Sequence, residues 1–312
     1  MKTEPKIFVI IVTYKGMRWY DKCFSSLRES MIPVQTIVVD NTPGDEDAEY
    51  IKAHFPEVHL IKTNENLGFG RANNLGMRYA LENGCDYVFL LNQDAWIETD
   101  TIVRLVETAE NNQEYALLSP FHYAPNSKTL GMLLDDGNNN YALLRDAHAG
   151  NLKELYPIRY VNAAAWLLSR KTLETIGGFC PIIYHFGEDD DYINRLAYHG
   201  LKVGLCPQTH VFHDSGAPLD GREYLRKKAN QLGLVEYLNI SQIRDIKSYR
   251  NYLWRKMMIN RLKGNPTAAN LYNEKYNFVR KHMDKITYCR EQHKIMQSNW
   301  LNVNFDYNRQ CL

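Results

Sequence analysis

The stretch Tyr87-Val88-Phe89-Leu90-Leu91-Asn92-Gln93-Asp94 decides how this chain is interpreted. Its apolar first part predicts a buried strand, which runs directly into two side chains with oxygen ligands, Asn92 and Asp94. Residues two apart in a strand lie on the same face, so the amide and the carboxylate point to one side. Open α/β sheets bind ligands at this edge, and such oxygens suit a hard divalent cation that carries phosphates. The simpler interpretation is a strand that ends in a polar turn.

Strand and helix patterns alternate through the first 120 residues. Apolar, β-branched runs predict buried strands at 7–13, 34–39, 58–61 and 87–91. Apolar residues at helical spacing and the helix-ending residues after them predict helices at 17–27, 45–54, 70–82 and 99–110. This alternation indicates an α/β fold with a parallel sheet and right-handed crossovers.

The pattern is less regular after Pro120. Residues 126–151 are polar and rich in Gly and Asn, which predicts a loop or a weak hairpin. From about residue 219 the chain is predicted to be helical, with one break at Gly264-Asn265-Pro266, and the strand before this region is expected to stop at Pro207. The intervening strand, helix and strand are predicted at 161–168, 188–199 and 201–206.

The composition excludes several classes of protein. At 312 residues the chain can form one large domain, or one domain plus an appendage, and it contains no run of about 18 apolar residues that could span a bilayer. The first residues lack the pattern of a signal peptide, so we expect a cytoplasmic protein. Without a C-x-x-C pair, we expect reduced, structural cysteines and no zinc site. The cysteines are Cys23, Cys85, Cys180, Cys206, Cys289 and Cys311.

The charges are divided unevenly along the chain. Residues 221–312 hold 18 Lys or Arg against 7 Asp or Glu, whereas residues 1–220 hold 19 against 29. The basic segment also carries aromatic residues, including Tyr249, Tyr252 and Trp254, and such a segment can dock on an anionic membrane surface. The alternatives are solvated helices that pack on the acidic part, a dimer contact, or nucleic-acid binding, for which no known module is present.

A glycine-bearing turn, Gly68-Phe69-Gly70-Arg71-Ala72-Asn73-Asn74, separates the third strand from the next helix. Asn73 occupies the place of the third glycine in a dinucleotide fingerprint, so NAD binding is not expected, and a P-loop motif is absent. With Arg71 and Asn74, the turn can approach a nucleotide or a phosphate at a helix N-terminus. Its glycines could equally serve a tight turn alone.

Two further groups of polar side chains are candidates for chemistry. Asp40-Asn41 closes the second strand at the same edge, where Asp40 can accept from a base N–H or a ribose hydroxyl, or can cap a turn. Glu188-Asp189-Asp190-Asp191 places four carboxylates at a helix start, more than the helix dipole requires. Charges this close raise one another's pKa values, which favours a site where one carboxylate takes a proton. The alternative is an acidic helix start without a function.

His213, within Thr209-His210-Val211-Phe212-His213-Asp214, can complete a metal site with Asp94. His210 competes for this role. A histidine that is only packed or solvated is the alternative for both.

In this order the motifs resemble the family 2 glycosyltransferases, especially their rhamnosyltransferase-like members. Each motif alone is weak, but six in this order are specific, and the match covers roughly residues 6–215. The motifs are Ile11-Val12-Thr13-Tyr14, Val38-Val39-Asp40-Asn41, Asn64-Glu65-Asn66-Leu67-Gly68-Phe69-Gly70 with Asn73-Asn74-Leu75-Gly76, Leu90-Leu91-Asn92-Gln93-Asp94, Ile176-Gly177-Gly178-Phe179 and Glu188-Asp189-Asp190-Asp191, followed by His213.

The resemblance implies a GT-A fold, in which a nucleotide-binding parallel sheet flanked by helices is fused to a smaller acceptor-binding part. We expect a catalytic domain at 1–218, divided into a nucleotide-binding half at 1–120 and an acceptor-side half at 121–218. A basic, mainly helical region is expected at 219–312. The resemblance also implies transfer of a sugar from a nucleoside diphosphate donor with inversion.

The resemblance further implies roles for individual residues. Asp94 would hold Mg²⁺ or Mn²⁺ on the diphosphate, with His213 as a second ligand. Asp189 would be the base, with Glu188 beside it in the catalytic cluster. Contacts with the donor nucleotide are expected from Thr13, Asp40, Asn41, Asn66, Gly68, Arg71, Asn74 and Asn92.

Two positions depart from the family pattern. Asn92 stands where many members have the first Asp of D-x-D, so the metal has one charged ligand fewer. Cys180 stands where this subfamily commonly has Asp after Gly-Gly-Phe, which weakens the inference about acceptor chemistry.

The main hypothesis is an inverting, metal-dependent glycosyltransferase that builds a bacterial-type surface glycan. The resemblance favours dTDP-rhamnose as the donor, and a UDP-sugar is the alternative because thymine and uracil present the same edge to Asp40. The acceptor would be a glycan or a lipid-linked glycan at the inner face of the cell membrane, and a homodimer is compatible. One alternative is a sugar nucleotidyltransferase, for which Lys15-Gly16-Met17-Arg18 is a poor triphosphate loop. Another is a non-catalytic nucleotide-sugar or glycan-binding protein, against which Asp94 and the acidic cluster argue.

Overall fold

A computed structural model of the chain describes residues 4–126, 140–214 and 233–301. Within these ranges the strands form one mixed sheet in the order β3-β2-β1-β4-β8-β6-β9-β5, and β7 pairs with β9 outside this path. The strands are β1 (Ile7–Thr13), β2 (Gln35–Asp40), β3 (His59–Lys62), β4 (Tyr87–Leu91), β5 (Ala95–Ile97), β6 (Tyr115–Tyr123), β7 (Tyr156–Ile158), β8 (Ala165–Ser169) and β9 (Lys202–His213).

Helices connect the strands and make up most of the C-terminal region. In the described part of the chain, none of them has the length and apolar character needed to cross a membrane. Residues 233–238 are also helical. The longer helices are α1 (Met17–Arg28), α2 (Glu46–His54), α3 (Phe69–Glu82), α4 (Thr101–Asn111), α5 (Tyr141–His148), α6 (Arg170–Thr175), α7 (Glu188–Tyr198), α8 (Ile246–Leu262), α9 (Pro266–Lys281) and α10 (Met283–His293).

The core lies on both faces of the sheet because the central strands are apolar at successive positions. In β1, Phe8 and Ile10 belong to one buried cluster, together with α3 residues such as Met77. The alternate residues, including Val9, belong to a second cluster on the other face, where α1 contributes Phe24. An apolar run of this kind therefore needs helices on both sides, as the alternation of elements predicts.

The predicted parallel core is confirmed for β3-β2-β1-β4, where β1 pairs in parallel with both β2 and β4. Beyond β4 the sheet changes direction, because β8 pairs antiparallel with β4 and with β6. The sequence did not predict β5, β6 or β7. The strand predicted at 161–168 begins later and spans Ala165–Ser169.

Three predictions in the second half are wrong. The part of the expected loop at 140–151 contains α5, which Asn140 caps by accepting from the N–H of Leu143. β9 does not stop at Pro207 but runs to His213. The pairing of β9 with β6 is irregular over residues 207–209, so Pro207 lies where no backbone N–H has to donate a hydrogen bond to the ladder. The described C-terminal helices have further breaks at 239–245 and at His282. Residues 127–139 and 219–232 of these predictions lie outside the described residues.

The C-terminal helices share a third apolar cluster with the loop that precedes α7. Ile182 and Ile183 of that loop pack with residues of α8, α9 and α10, including Leu253, Val279 and Ile286. A backbone hydrogen bond from Gly178 N–H to the carbonyl of Asn299, at 2.8 Å, closes the same contact. The basic region is thus fastened to the sheet through the segment that leads into α7.

This fastening can be tested at Gly177, whose φ of +79° favours glycine and whose Cβ would overlap the backbone of Asn299. Ala at such a φ costs about 1–2 kcal/mol, and overpacking against a fixed backbone adds about 1–3 kcal/mol. We expect Gly177→Ala to lower the free energy of unfolding, measured by urea denaturation, by both amounts.

Gly84→Ala is the matched control, since Gly84 has a φ of +75° but no atom within 4 Å of the position that a Cβ would occupy. The free energy of unfolding of Gly84→Ala should fall only by the backbone contribution of about 1–2 kcal/mol. Equal losses in the two variants would contradict the docking of residues 299–301 on the Gly177 turn.

Candidate active site

The carboxyl ends of β1, β2 and β4 meet at one edge of the sheet because the three strands are parallel and in register. Thr13 pairs with Asp40 at the last position of the β1–β2 ladder. β4 ends at Leu91, so the segment from Asn92 to Asp94 leaves the sheet at this edge. The sequence motifs at 11–14, 38–41 and 90–94 are therefore brought together by the sheet itself.

Asp40 has one carboxylate oxygen with partners and one without. Oδ1 accepts from Thr13 Oγ1 at 3.1 Å and from the N–H of Thr42 at 3.0 Å. Oδ2 is buried and has no hydrogen-bond partner among the described residues. A buried acceptor without a partner costs about 1–3 kcal/mol, so this oxygen is suited to an N–H or O–H donor from a ligand. Asn41 instead bonds to neighbours, since its Nδ2 donates to the Gly68 carbonyl at 3.2 Å.

The turn before α3 is tightly held from both sides. Asn66 Oδ1 accepts from the N–H of Gly68 at 2.9 Å, and the Tyr184 hydroxyl donates to the Asn66 carbonyl at 3.1 Å. Gly68 has a φ of +82°, and a Cβ there would collide with the Tyr184 carbonyl. Glycine is therefore required at this position for two reasons, the positive φ and the lack of space for a Cβ. The hydrogen bond from Tyr184 holds the turn against the loop that leads into α7.

Arg71 and Asn74 fasten the same loop to α3. Arg71 Nε donates to the Pro181 carbonyl at 2.8 Å. Asn74 is buried, and its amide both donates to and accepts from the backbone of Phe179, at 2.9 and 2.7 Å. Both side chains have structural partners here, so their predicted contact with a nucleotide stays a prediction.

Asp94, His213 and Asn92 come together as the sequence predicts. His213 Nε2 lies 3.3 Å from Asp94 Oδ1 and 3.4 Å from Asn92 Nδ2. The pairing of β5 with β9 sets Ala95 opposite His213 and so fixes this contact. His210 points elsewhere, to Glu98 at 2.8 Å.

This group fits a divalent cation. A carboxylate, an imidazole and an amide oxygen are all ligands that Mn²⁺ and Mg²⁺ accept. Asn92 Oδ1 is buried without a hydrogen-bond partner among the described residues, which is the state expected of an oxygen that awaits a ligand. The role of these residues as metal ligands remains a prediction.

His122 stands behind His213 and was missed by the sequence analysis. The two rings lie edge to face with centroids 6.4 Å apart, and His122 Nε2 contacts Ser119 Oγ at 3.1 Å. Burial, and then the charge of His213, lowers the pKa of His122 to about 3. A neutral ring therefore backs His213 without adding positive charge. No spacing in the sequence could indicate it, since β6 was not predicted.

Asp189 and Glu188 begin α7 but differ in exposure. Asp189 is partly exposed and accepts from the Tyr160 hydroxyl at 2.8 Å, and its other oxygen accepts from the N–H of Asp190 at 2.9 Å. Glu188 is buried, and burial, followed by the charge of Asp189, raises the pKa of Glu188 to about 8. The expectation that one carboxyl of the cluster takes a proton therefore points to Glu188. Burial also raises the pKa of Tyr160, which keeps it a donor.

Asp189 is connected, through Tyr160, to the segment that leads to the sheet edge where Asn92 lies. β8 starts at this edge, because Ala165 pairs with Leu91, and the N–H of Asn92 donates to the Ala164 carbonyl at 2.9 Å. Tyr160, which holds Asp189, is four residues earlier and thus at most roughly 14 Å along the chain from Ala164. The start of α7 also lies beside the start of α3, since a Cβ on Gly70 would come within 3.8 Å of Glu188 Cβ.

Comparison with known proteins agrees with this geometry. The model of the family described as "Glycosyl transferase family 2" matches residues 8–177. A Haloferax volcanii protein named low-salt glycan biosynthesis hexosyltransferase Agl10 is 23% identical over 222 residues, covering 68% of this chain and 67% of its own. A Shigella flexneri dTDP-rhamnosyl transferase, RfbF, is 23% identical over 68% of this chain and 70% of its own. A Mycobacterium tuberculosis N-acetylglucosaminyl-diphospho-decaprenol L-rhamnosyltransferase is 22% identical over 66% and 75%.

Two solved structures share the fold. S. aureus TarS has a TM-score of 0.53 at 13% identity over 75% of this chain, and GalNAc-T7 with UDP, GalNAc and Mn²⁺ has a TM-score of 0.56 at 14% identity over 93%. This chain spans 40% and 58% of those two chains. They support the fold that was expected from the sequence, with a mixed α/β sheet, flanking helices and a helical C-terminal region.

The raised pKa of Glu188 predicts a pH dependence of stability. The folded state keeps a proton that the unfolded chain loses above a pKa of about 4.5, so the contribution is full below that pH and is lost as pH rises to about 8. Relative to Glu188→Gln, the wild type should lose at most roughly 1.4 kcal/mol of unfolding free energy per pH unit across this window.

Urea denaturation between pH 4 and 9 measures this difference. The exposed Glu82→Gln variant on α3 is the control and should leave the shape of the wild-type profile unchanged. A wild-type profile parallel to that of Glu188→Gln would show that Glu188 is ionised in the folded protein at neutral pH.

Proposed function

The chain belongs to glycosyl transferase family 2, and on that premise we propose that it moves a sugar from a nucleoside diphosphate donor to a glycan or lipid-linked glycan acceptor, with inversion at the anomeric carbon. The observation that carries the proposal is the shared sheet edge. The unpartnered oxygen of Asp40 and the Asp94–His213 pair follow strands that end at this edge, and we propose that the Tyr160-bound carboxylate of Asp189 faces them.

The donor base is proposed to bind at Asp40. Uracil and thymine both offer a ring N–H, and the unpartnered Oδ2 can accept it while Thr13 and the backbone of Thr42 hold Oδ1. A hydrogen bond to a charged acceptor contributes about 1.5–3 kcal/mol, enough to select such a base. We propose a dTDP- or UDP-sugar, with rhamnose favoured by the rhamnosyltransferases among the relatives.

The leaving diphosphate is proposed to lie at Asp94 and His213, which would hold Mg²⁺ or Mn²⁺ together with the amide oxygen of Asn92. When bound, the ion neutralises charge that develops on the leaving group. Because Asn92 is uncharged, this ligand set carries one negative charge rather than two. The protein itself holds the side chains in place. The β5–β9 pairing positions Asp94 and His213, and the hydrogen bond from Asn92 N–H to the Ala164 carbonyl positions Asn92.

Asp189 is proposed as the base that accepts the acceptor hydroxyl proton as that oxygen attacks the anomeric carbon. The Tyr160 hydroxyl and the Asp190 N–H orient the carboxylate. Glu188 beside it stays protonated at neutral pH, so it does not compete for the proton as a second charged base. Attack on the face opposite to the diphosphate inverts the anomeric carbon, and no covalent nucleophile is needed.

A lipid-linked acceptor would bring the protein to a membrane, and the outer face of α8 suits this contact. Its exposed large apolar side chains are Tyr252, Trp254, Ile259 and Leu262. α8 carries five Lys or Arg and no Asp or Glu. Apolar side chains beside cations are the pattern by which surface helices bind anionic lipid. We propose this face as a peripheral membrane contact, in preference to a homodimer contact.

Two variants separate the proposed roles at the sheet edge. Asp94→Ala should abolish the tightening of dTDP or UDP binding by Mn²⁺, because the ion loses its charged ligand. Asp189→Asn should bind the nucleotide within about threefold of wild type but lose transfer by roughly 10²-fold or more, since an amide cannot accept the proton. Calorimetry measures the first effect, and release of nucleoside diphosphate in the presence of glycan acceptors measures the second.

Asp190→Asn is the control for charge at the start of α7, because the two residues are adjacent in the same helical turn. It should retain most of the transfer activity. Turnover by Asp189→Asn at the wild-type rate would remove the assigned base, and an unchanged Mn²⁺ effect in Asp94→Ala would remove the metal ligand.

Co-sedimentation with vesicles tests the α8 face. Wild type should bind vesicles rich in phosphatidylglycerol at low salt and be released at high salt, and Leu262→Glu should weaken binding about fivefold, since one charge near the surface contributes roughly 1 kcal/mol. Leu144→Glu on α5, which replaces another exposed leucine, is the control. A wild-type protein that ignores anionic vesicles at low salt would contradict the membrane contact.

A further inference from the structure

Four metal-ligating side chains meet in the interior, away from the sheet edge. Cys180 follows the Gly177-Gly178-Phe179 turn, Asp191 lies in the first turn of α7, and Cys289 and His293 lie in α10. All four are at most 2% exposed. They are called the buried Cys–Asp–His cluster below. Because Cys289 and His293 are four residues apart on one helix, they project from the same face of α10.

The distances among three of the four residues are close to those of a metal site. Ligand atoms of Cys180, Asp191 and His293 all lie within 4.8 Å of one another, and Asp191 Oδ1 is 3.7 Å from His293 Nδ1. The Cys180 thiol also contacts the thiol of Cys289 and the ring of His293. Tetrahedral Zn²⁺, with bonds of about 2.0–2.3 Å, places its ligands roughly 3.3–3.8 Å apart. Cys180, Asp191 and His293 would need only a small closure, and Cys289 would join them from its contact with Cys180.

The surroundings orient the carboxylate as an outer shell of a metal site does. Arg195 Nε donates to Asp191 Oδ2 at 3.1 Å, which leaves Oδ1 on the side of His293. Arg195 is itself fixed by the carbonyls of Ile176 and Gly178, at 2.9 and 2.7 Å. One Zn²⁺ and Arg195 would balance two thiolates and the carboxylate, so the buried group would carry no net charge.

His293 is also incompletely satisfied without a ligand in the cluster. The His199 ring contacts the backbone carbonyl of His293 at 2.8 Å, which anchors the end of α10. The Nε2 atom of His293 is buried and has no partner among the residues that the structure describes. A buried ring nitrogen without a hydrogen-bond partner is unusual. Coordination of a metal by the imidazole would change the hydrogen bonding that the ring nitrogens of His293 require.

We propose that Cys180, Asp191, Cys289 and His293 bind one Zn²⁺ as a closed, four-coordinate structural site. Two thiolates favour Zn²⁺ over the Mg²⁺ or Mn²⁺ expected at Asp94. On binding, the two thiols release their protons to solvent. The ion ties α10 and the turn before Cys180 to the first turn of α7, two residues after Asp189. The expectation of no zinc site, drawn from the absence of a C-x-x-C pair, is the one that this proposal replaces.

The metal content of the full chain tests the site. After expression with zinc and purification under reducing conditions, elemental analysis should find about one zinc per chain. Cys180→Ser and Cys289→Ser should each lower that content severalfold. Cys85→Ser replaces another buried free cysteine outside the cluster and should keep it. Chelation should lower the Tm of wild type and Cys85→Ser, and added zinc should restore it.

Replacement by Co²⁺ gives a readout that does not depend on the stability of any variant. Wild-type protein loaded with Co²⁺ should show the absorption bands of a tetrahedral thiolate site. The proposal is overturned if wild type carries less than about a tenth of a zinc per chain and gives no thiolate bands. It is also overturned if Cys180 and Cys289 form a disulfide, or if Cys180→Ser keeps full zinc. These measurements need no transfer activity, so their result is independent of the function proposed above.

Discussion

The parallel pairing of β1 with β2 and β4 is the constraint on which the site depends. These strands are buried on both faces, so the packing of their apolar residues in the two clusters sets the register. The strand pairing then brings the polar residues at the ends of these strands to one edge, where Thr13 and Asp40 also bond to each other. Thr13, Asp40 and the segment from Asn92 to Asp94 owe their proximity to this packing. β8 runs antiparallel beside β4, so Ala165 lies opposite Leu91 at this edge.

The site concentrates carboxylates, and the fold treats each of them differently. Asp40 is hydrogen-bonded on one oxygen, Asp94 faces His213, and Asp189 accepts from Tyr160. Glu188 is buried so that its pKa is raised, and Asp191 is paired with Arg195. Placing like charges together is unfavourable unless partners or protons are supplied. The carboxylates thus differ in their partners and protonation, as the roles proposed for Asp40, Asp94 and Asp189 require.

The sequence predicts the half of the fold in which the apolar pattern of each element matches the way that the element is buried. β1 to β4 and their helices are uniformly apolar strands or amphipathic helices, and they were predicted within a few residues. β6 was missed because its nine residues include Ser119, Pro120 and His122, which do not read as a strand. α5 was missed because its buried face is carried by Leu143 and Asp146 alone.

The residues of the candidate site likewise fall into those that the sequence predicts and those that it does not. Motif order predicted which residues lie near one another after the sheet forms, and the contact of Asp94 with His213 confirms that their side chains meet. Tyr160, His122 and His293 could not be predicted, because each depends on a pairing across the fold that leaves no spacing signal. A complex with Mn²⁺ and a dTDP- or UDP-sugar, solved by crystallography, tests the central claim most directly. The account predicts the base at Asp40, the diphosphate at Asp94 and the anomeric carbon facing Asp189. A donor bound away from this sheet edge, or with its sugar turned from Asp189, would contradict it.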